Sequence, residues 1–284
     1  MYIENEGGSK RLTKNNFKKS FSSDSEYLIS LKNDSKKYPL FSQVLLETRT
    51  DCNRKCTFCP QYHLERPLKL MDWAVFTKVI DNLAIIEFSG RIALFMTNEP
   101  LLENRIIDMI KYARSKSPRF FLDITTNGTL LTIDYLDQLL AAGIDNVNIN
   151  DYRSDRISNP DKISKKLLDL VNKFNHNPKV TYNKRSTKEV LSNYAGTIEN
   201  SKRQLKNGFC NYPFRKLAIS ADGNILLCCN DYEYSTSFGN VMENNVEDIW
   251  FSSKMNKYRD ELLKENRIGI CSNCDEFQDY NVFI

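Results

Sequence analysis

Long apolar runs are missing from this chain. None of its 284 residues lies in a stretch approaching the roughly 18 consecutive apolar residues of a membrane-spanning helix, which excludes such a span within it. Residues 1–10 lack an apolar segment, so neither a secretory signal nor a disulfide framework is expected. An excess of one charge is missing as well. The 40 Lys and Arg residues are interspersed with 36 Asp and Glu, leaving a net charge of +4 without the concentrated field of a nucleic-acid binder. The pairs Lys18-Lys19 and Lys36-Lys37 read as solvated surface. These absences predict a soluble, cytoplasmic protein without nucleic-acid or membrane partners.

With 41% apolar residues the chain can bury a core, as one large domain or as one domain plus an appendage. Residues 1–38, rich in Ser, Asn and Lys, read as a mobile arm. From 40 to 200, strand patterns at 44–48, 92–96, 120–125, 147–150 and 180–182 alternate with helical patterns. The helical patterns are Val75/Phe76/Val79/Ile80/Leu83, Ile106/Ile107/Ile110, Leu136/Leu139/Leu140 and Ile163/Leu167/Leu170/Val171/Phe174. Thr132 can cap the third helix, Gly143 can end it, and Asn159-Pro160 opens the fourth. Such alternation predicts an α/β fold with parallel strands, curled into a partial barrel whose ligands gather at the carboxyl ends of the strands. Five strands make the barrel abbreviated, with a sixth unit either absent or hidden in 191–200. Residues 205–284 form the remaining part, with Asp222-Gly223 as a hairpin turn and a helix over 246–263.

Cys52, Cys56 and Cys59 stand at C-x3-C-x2-C spacing just after the apolar run Val44-Leu45-Leu46, with Phe58 before the third cysteine. Three thiolates on a short loop suit one cubane iron-sulfur cluster whose fourth iron has no protein ligand. Zinc, with His63 as fourth ligand, is the competing reading.

This spacing, with an aromatic residue before the last cysteine, resembles the signature of the radical S-adenosylmethionine (SAM) superfamily. The resemblance implies that SAM chelates the open iron and that its reductive cleavage gives a radical which removes a substrate hydrogen. Thr97-Asn98-Glu99-Pro100-Leu101-Leu102 is similar to the family's G-G-E-P-L-L segment, which implies that Glu99 receives the SAM ammonium. Asn127, in a T-N-G segment like the family's, is a candidate for SAM or substrate contact or simply for the turn. Asn148 and Asn150, alternating with Val147 and Ile149, are candidates for the SAM ribose or carboxylate, and Arg185, placed just after the fifth strand, for the carboxylate.

The remaining cysteines, Cys210, Cys228, Cys229, Cys271 and Cys274, lie in a region resembling the SPASM/twitch extension of the same superfamily. That likeness implies that Cys210, Cys228, Cys271 and Cys274 ligate one auxiliary 4Fe-4S cluster, with a zinc ribbon as the competing reading. The order and spacing are most like the twitch-type aminocyclitol dehydrogenases, which implies an oxidoreductase acting on a small hydroxylated substrate, with a flavodoxin or ferredoxin as electron donor. An epimerase or peptide maturase is the alternative. Tyr194, in Ser192-Asn193-Tyr194-Ala195-Gly196, is a candidate proton acceptor or a packing residue. Cys229 is a candidate hydrogen donor, which an epimerase would need, or an inert thiol.

Overall fold

The computed structural model describes residues 38–152, 160–174, 176–185, 192–198 and 208–276. The proposed N-terminal arm, apart from its last residue, lies outside the described residues.

Strand β1 (Gln43–Leu46) leads through the first cysteine loop and a one-turn helix α1 (Pro60–His63) into α2 (Trp73–Ile85). There follow β2 (Arg91–Ala93), α3 (Ile106–Lys116), β3 (Phe121–Thr126), α4 (Ile133–Ala142), β4 (Asn146–Tyr152), α5 (Pro160–Lys173) and β5 (Val180–Arg185). The helix boundaries follow from capping. Asp72 accepts from Ala74 N at the start of α2, Thr132 accepts from Tyr135 N at the start of α4, and Gly143 ends α4 with a φ of 101°.

The C-terminal part contributes α6 (Tyr212–Arg215), β6 (Lys216–Ile219), β7 (Ile225–Leu226), α7 (Val246–Trp250) and α8 (Ser253–Leu263). The strands form one open sheet in the order β5-β4-β3-β2-β1-β6-β7, parallel except for the antiparallel β6–β7 pair. An unclosed α/β barrel is therefore present.

Two details differ from the sequence expectation. The sixth parallel strand comes from β6, which pairs with β1 from Gln43↔Lys216 to Leu46↔Ile219, and Ser192–Ile198 is turn. The Leu217-Ala218-Ile219 run carries a strand signal, but its partner near the other end of the chain leaves no trace in local pattern. The expected helix over 246–263 is two helices, because Ser252 adopts an extended conformation and caps α8 by accepting from Met255 N.

A buried carboxylate joins the N-terminal and C-terminal halves. Glu47, which follows β1, is fully buried and accepts from Thr97 Oγ1, Tyr234 Oη and, at 3.4 Å, Ala221 N. The Arg66 guanidinium lies 3.2 Å from it and also donates to Thr50 O at 3.0 Å and Thr97 Oγ1 at 2.8 Å. Burial pushes the Glu47 carboxyl above its ordinary range, while Arg66, Tyr234 and Ala221 pull it back. Removing one partner strands the other in the interior. Glu47→Ala and Arg66→Ala should therefore each lower unfolding free energy by about 3–5 kcal/mol, and the double variant by clearly less than their sum, measured by denaturant titration.

Candidate active site

The cysteine loop is held from both sides. Its lead-in residue Thr50 bonds through N–H to Lys69 O at 3.1 Å, and Arg49 forms an isolated bridge with Leu70. Glu99 N donates to Asp51 O at 3.1 Å, tying the loop after β2 to the loop after β1. Cys56 is buried, and Cys52 and Cys59 are half-buried. Burial pushes the Cys52 thiol to about 12 and the Cys59 thiol to about 11, and the neighbouring thiolates push in the same direction. Gathering desolvated thiolates is unfavourable until a cationic core neutralises them, so this donor set fits a metal cluster.

His63 is exposed, with Nε2 3.1 Å from Thr57 O within the same loop. Among the described residues no three His, Cys, Asp or Glu side chains gather as a single-ion site.

Phe58 packs against Tyr152 at the end of β4, with ring centroids 5.3 Å apart. Thr97 is absorbed by the Glu47 network, and Asn98 donates to Thr48 Oγ1 at 3.1 Å while accepting from Met96 N. Glu99 caps the 3-10 turn Pro100–Leu102, with Pro100 in its first position. Its carboxylate is buried and accepts from Thr126 Oγ1 at 2.6 Å, Asn127 N at 2.8 Å and Leu101 N at 3.1 Å. Burial raises its pKa, opposed by these bonds and by the nearby Arg54 charge. A carboxylate has about four acceptor positions, so one further donor can be received.

Asn127 does structural work beyond its turn. Its Nδ2 donates to Asn53 Oδ1 at 2.8 Å and approaches Cys52 Sγ at 3.8 Å, while its Oδ1 accepts from Thr129, so it fastens the loop after β3 to the cysteine loop. Asn148 is engaged in a cross-strand ladder, donating to Thr125 Oγ1 at 3.2 Å and accepting from Asn183 Nδ2 at 2.6 Å. Asn150 donates to Tyr152 Oη at 3.0 Å, but its Oδ1 is buried with no protein partner. Arg185 is the last residue of β5 itself, the strand running on past Tyr182, and pairs in register with Tyr152.

The second cysteine set closes on one cavity. Cys210, Cys228, Cys271 and Cys274 are buried and line it together with Arg267 and Ala195. Burial, followed by the neighbouring thiolates, pushes Cys210 and Cys271 to about 12. Arg267 opposes this, fixed by bonds to Cys274 O at 3.0 Å and Gly208 O at 3.1 Å. The donor set again fits a cationic core, here with a full complement of four thiolates.

Segment Ser192–Ile198 is stapled to this region. Asn193 N donates to Asp275 Oδ1 at 2.7 Å, and Asn193 Nδ2 donates to Asn273 O at 2.7 Å. Tyr194 and Ala195 adopt left-handed φ values of 49° and 58°, a strain that the staple maintains. The Tyr194 ring meets Tyr232 edge-on at 5.4 Å. Tyr232 is in turn hydrogen-bonded to Cys59, and Ala195 lines the four-cysteine cavity, so this segment touches the surroundings of both cysteine sets. Burial drives the Tyr194 pKa upward, away from what a base requires. Cys229 is half-buried and does not line the four-cysteine cavity.

Arg54, Glu47, Arg66, Tyr232 and Tyr234 escape sequence reasoning. A charged residue directly after the buried run Val44-Leu45-Leu46 is the signal that could have found Glu47, since the carboxyl ends of parallel strands carry function.

Two family models match the chain: the radical SAM superfamily over residues 46–182 and the iron-sulfur cluster-binding SPASM domain over residues 210–275. The S-adenosyl-L-methionine-dependent 2-deoxy-scyllo-inosamine dehydrogenase of Niallia circulans is 29% identical over 250 residues, spanning 83% of this chain and 93% of that protein. The crystal structure of BtrN in complex with AdoMet and 2-DOIA superposes with a TM-score of 0.76 at 27% identity, covering 86% of this chain and 98% of BtrN. A histidine-tagged anSMEcpe with bound AdoMet shares the fold, with a TM-score of 0.53 at 14% identity over 84% of this chain and 87% of that one. With both matched segments containing the cysteine sets described above, the chain belongs to the radical SAM superfamily and is a radical SAM enzyme carrying a C-terminal SPASM domain.

Proposed function

We propose that the protein dehydrogenates a small hydroxylated metabolite of the sugar or aminocyclitol class, using two 4Fe-4S clusters and SAM. The observation that carries this reading is the Tyr194-Ala195 segment: Ala195 lines the four-cysteine cavity, and the Tyr194 ring meets at 5.4 Å the ring of Tyr232, whose side chain is hydrogen-bonded to Cys59 of the first set. The near full-length similarity to a dehydrogenase of an aminocyclitol supports the substrate class.

Cys52, Cys56 and Cys59 would hold the SAM-binding cluster, and Cys210, Cys228, Cys271 and Cys274 the auxiliary one. When bound, these groups supply reductive cleavage of SAM to a hydrogen-abstracting radical and a separate electron acceptor for the oxidised substrate. Glu99 would receive the SAM ammonium through its remaining acceptor position. Asn150 offers a buried acceptor to the cofactor, and Asn127 keeps the cysteine loop in register with the strand ends. Thr97, Asn98 and Pro100 shape the loop that presents Glu99, and Phe58 and Tyr152 wall the site. Tyr194, held protonated by burial, would orient a substrate hydroxyl as a donor or wall. The electron donor would be a flavodoxin or ferredoxin.

Anaerobic reconstitution with iron and sulfide tests this assignment. The wild type should bind about eight irons, and Cys52→Ala and Cys271→Ala about four each. Cys52→Ala should lose SAM cleavage altogether, whereas Cys271→Ala should keep cleavage and lose substrate oxidation. Retained oxidation in Cys271→Ala would sink the auxiliary role. Cys229→Ala separates the dehydrogenase from the epimerase: product lighter by two hydrogens should persist, while an epimerase would stop turning over and lose solvent label at the reacting carbon.

A further inference from the structure

Tyr232 belongs to the C-terminal part of the chain, yet its side chain is hydrogen-bonded to Cys59 of the first cysteine set. The residue is 7% exposed, so little water competes for its hydroxyl. A phenol is protonated at neutral pH and a ligating thiolate carries no proton, so the O–H donates to the sulfur. Cys59 also receives Gln61 N–H, while Cys52 receives Arg54 N–H and meets Asn127 Nδ2 at 3.8 Å. Those donors come from the segment matched by the radical SAM model, whereas Tyr232 comes from the SPASM segment.

The hydroxyl is held in place from three directions. On the chain itself, Asp231 N donates to Cys228 O at 3.2 Å, and the buried Asp231 carboxylate accepts from Ser235 N at 2.9 Å, Thr236 N at 2.8 Å and both of their hydroxyls. Thr236 Oγ1 accepts in turn from Leu227 N at 2.9 Å, which closes the turn that carries Cys228 at one end and Tyr232 near the other. Arg66 donates to Tyr232 O at 3.4 Å and stands 5.8 Å from the ring centroid. Tyr194 meets the ring edge-on at 5.4 Å. So many restraints on one buried tyrosine fix where its O–H points.

We infer that Tyr232 is a positioning residue of the SAM-cleaving centre, its hydroxyl bonded to the sulfur of Cys59 so that the C-terminal domain sets the reduction potential of the first cluster. The inference rests on Cys52, Cys56 and Cys59 holding that cluster. Reduction spreads negative charge onto the ligating sulfurs, and a donor aimed at one of them bonds the reduced state more strongly than the oxidised one. Tyr232 therefore raises the potential and eases delivery of the electron that starts each turnover.

Redox titration of the iron-loaded protein at pH 7, followed by electron paramagnetic resonance without substrate, tests this apart from activity. The signal that changes on adding SAM reports the first cluster, and the other serves as internal standard. Tyr232→Phe keeps the ring and removes the donor. It should make reduction of the first cluster about tenfold less favourable, a potential lower by about 59 mV, and leave the auxiliary cluster where it was. Replacing Tyr232 with 3-fluorotyrosine, whose O–H is a stronger donor, should move the first potential upward. An unchanged first potential in Tyr232→Phe, or equal movement of both clusters, would overturn the inference. Should Tyr232→Phe fail to retain iron, the fluorotyrosine protein decides: a raised first potential supports the bond and an unchanged one overturns it. A wild type with no SAM-responsive cluster signal would instead overturn the cluster reading on which the inference rests.

Discussion

The geometry of this protein depends on a charge removed from water. Glu47 sits where β1 gives way to the cysteine loop, and its two oxygens are shared among the loop after β2, the Arg66 segment and the C-terminal residues Ala221 and Tyr234. A buried ion pair with directional bonds holds its partners in one arrangement, because pulling it apart leaves an uncompensated charge in the interior. The first cysteine loop and the residues around the second set are thus referred to one fixed point.

From that point the site is assembled by cross-loop bonds between strand ends. Glu99 N reaches Asp51 O, Asn127 reaches Asn53, and Arg54 reaches Tyr152 O, so the loops after β2 and β3 and the end of β4 are tied to the cysteine loop. The same bonds explain which polar groups are satisfied by protein and which are left open. Asn148 is consumed by its neighbours, while Asn150 Oδ1 and Arg54 Nε and Nη1 are buried without a protein partner.

Sequence reading recovered what is local. Cysteine spacing, the helix caps at Thr132 and Gly143, and the apolar strands are set by a few adjacent residues, and all stand in the fold. It missed what is distant. The partnership of β6 with β1 joins segments far apart in the chain, and no periodicity in Lys216–Ile219 encodes it. Arg54 lies in the polar run Asn53-Arg54-Lys55, where Asn53 and Lys55 are exposed, so its burial is visible only once β4 closes over it. Tyr194 is similar: its left-handed backbone is imposed by Asn273 and Asp275, not by its own preference.

Because β6 lies beside β1, a ribosome must synthesise more than two hundred residues before the first strand acquires its second neighbour. Until then the nascent barrel presents a bare edge able to recruit strands from other chains, a known route to aggregation. Metal loading of the first cysteine loop during translation would occur on this half-built scaffold, open to oxygen. Insertion of iron after release of the completed chain is the safer order, and holding chaperones would be of most use to the cell in that interval.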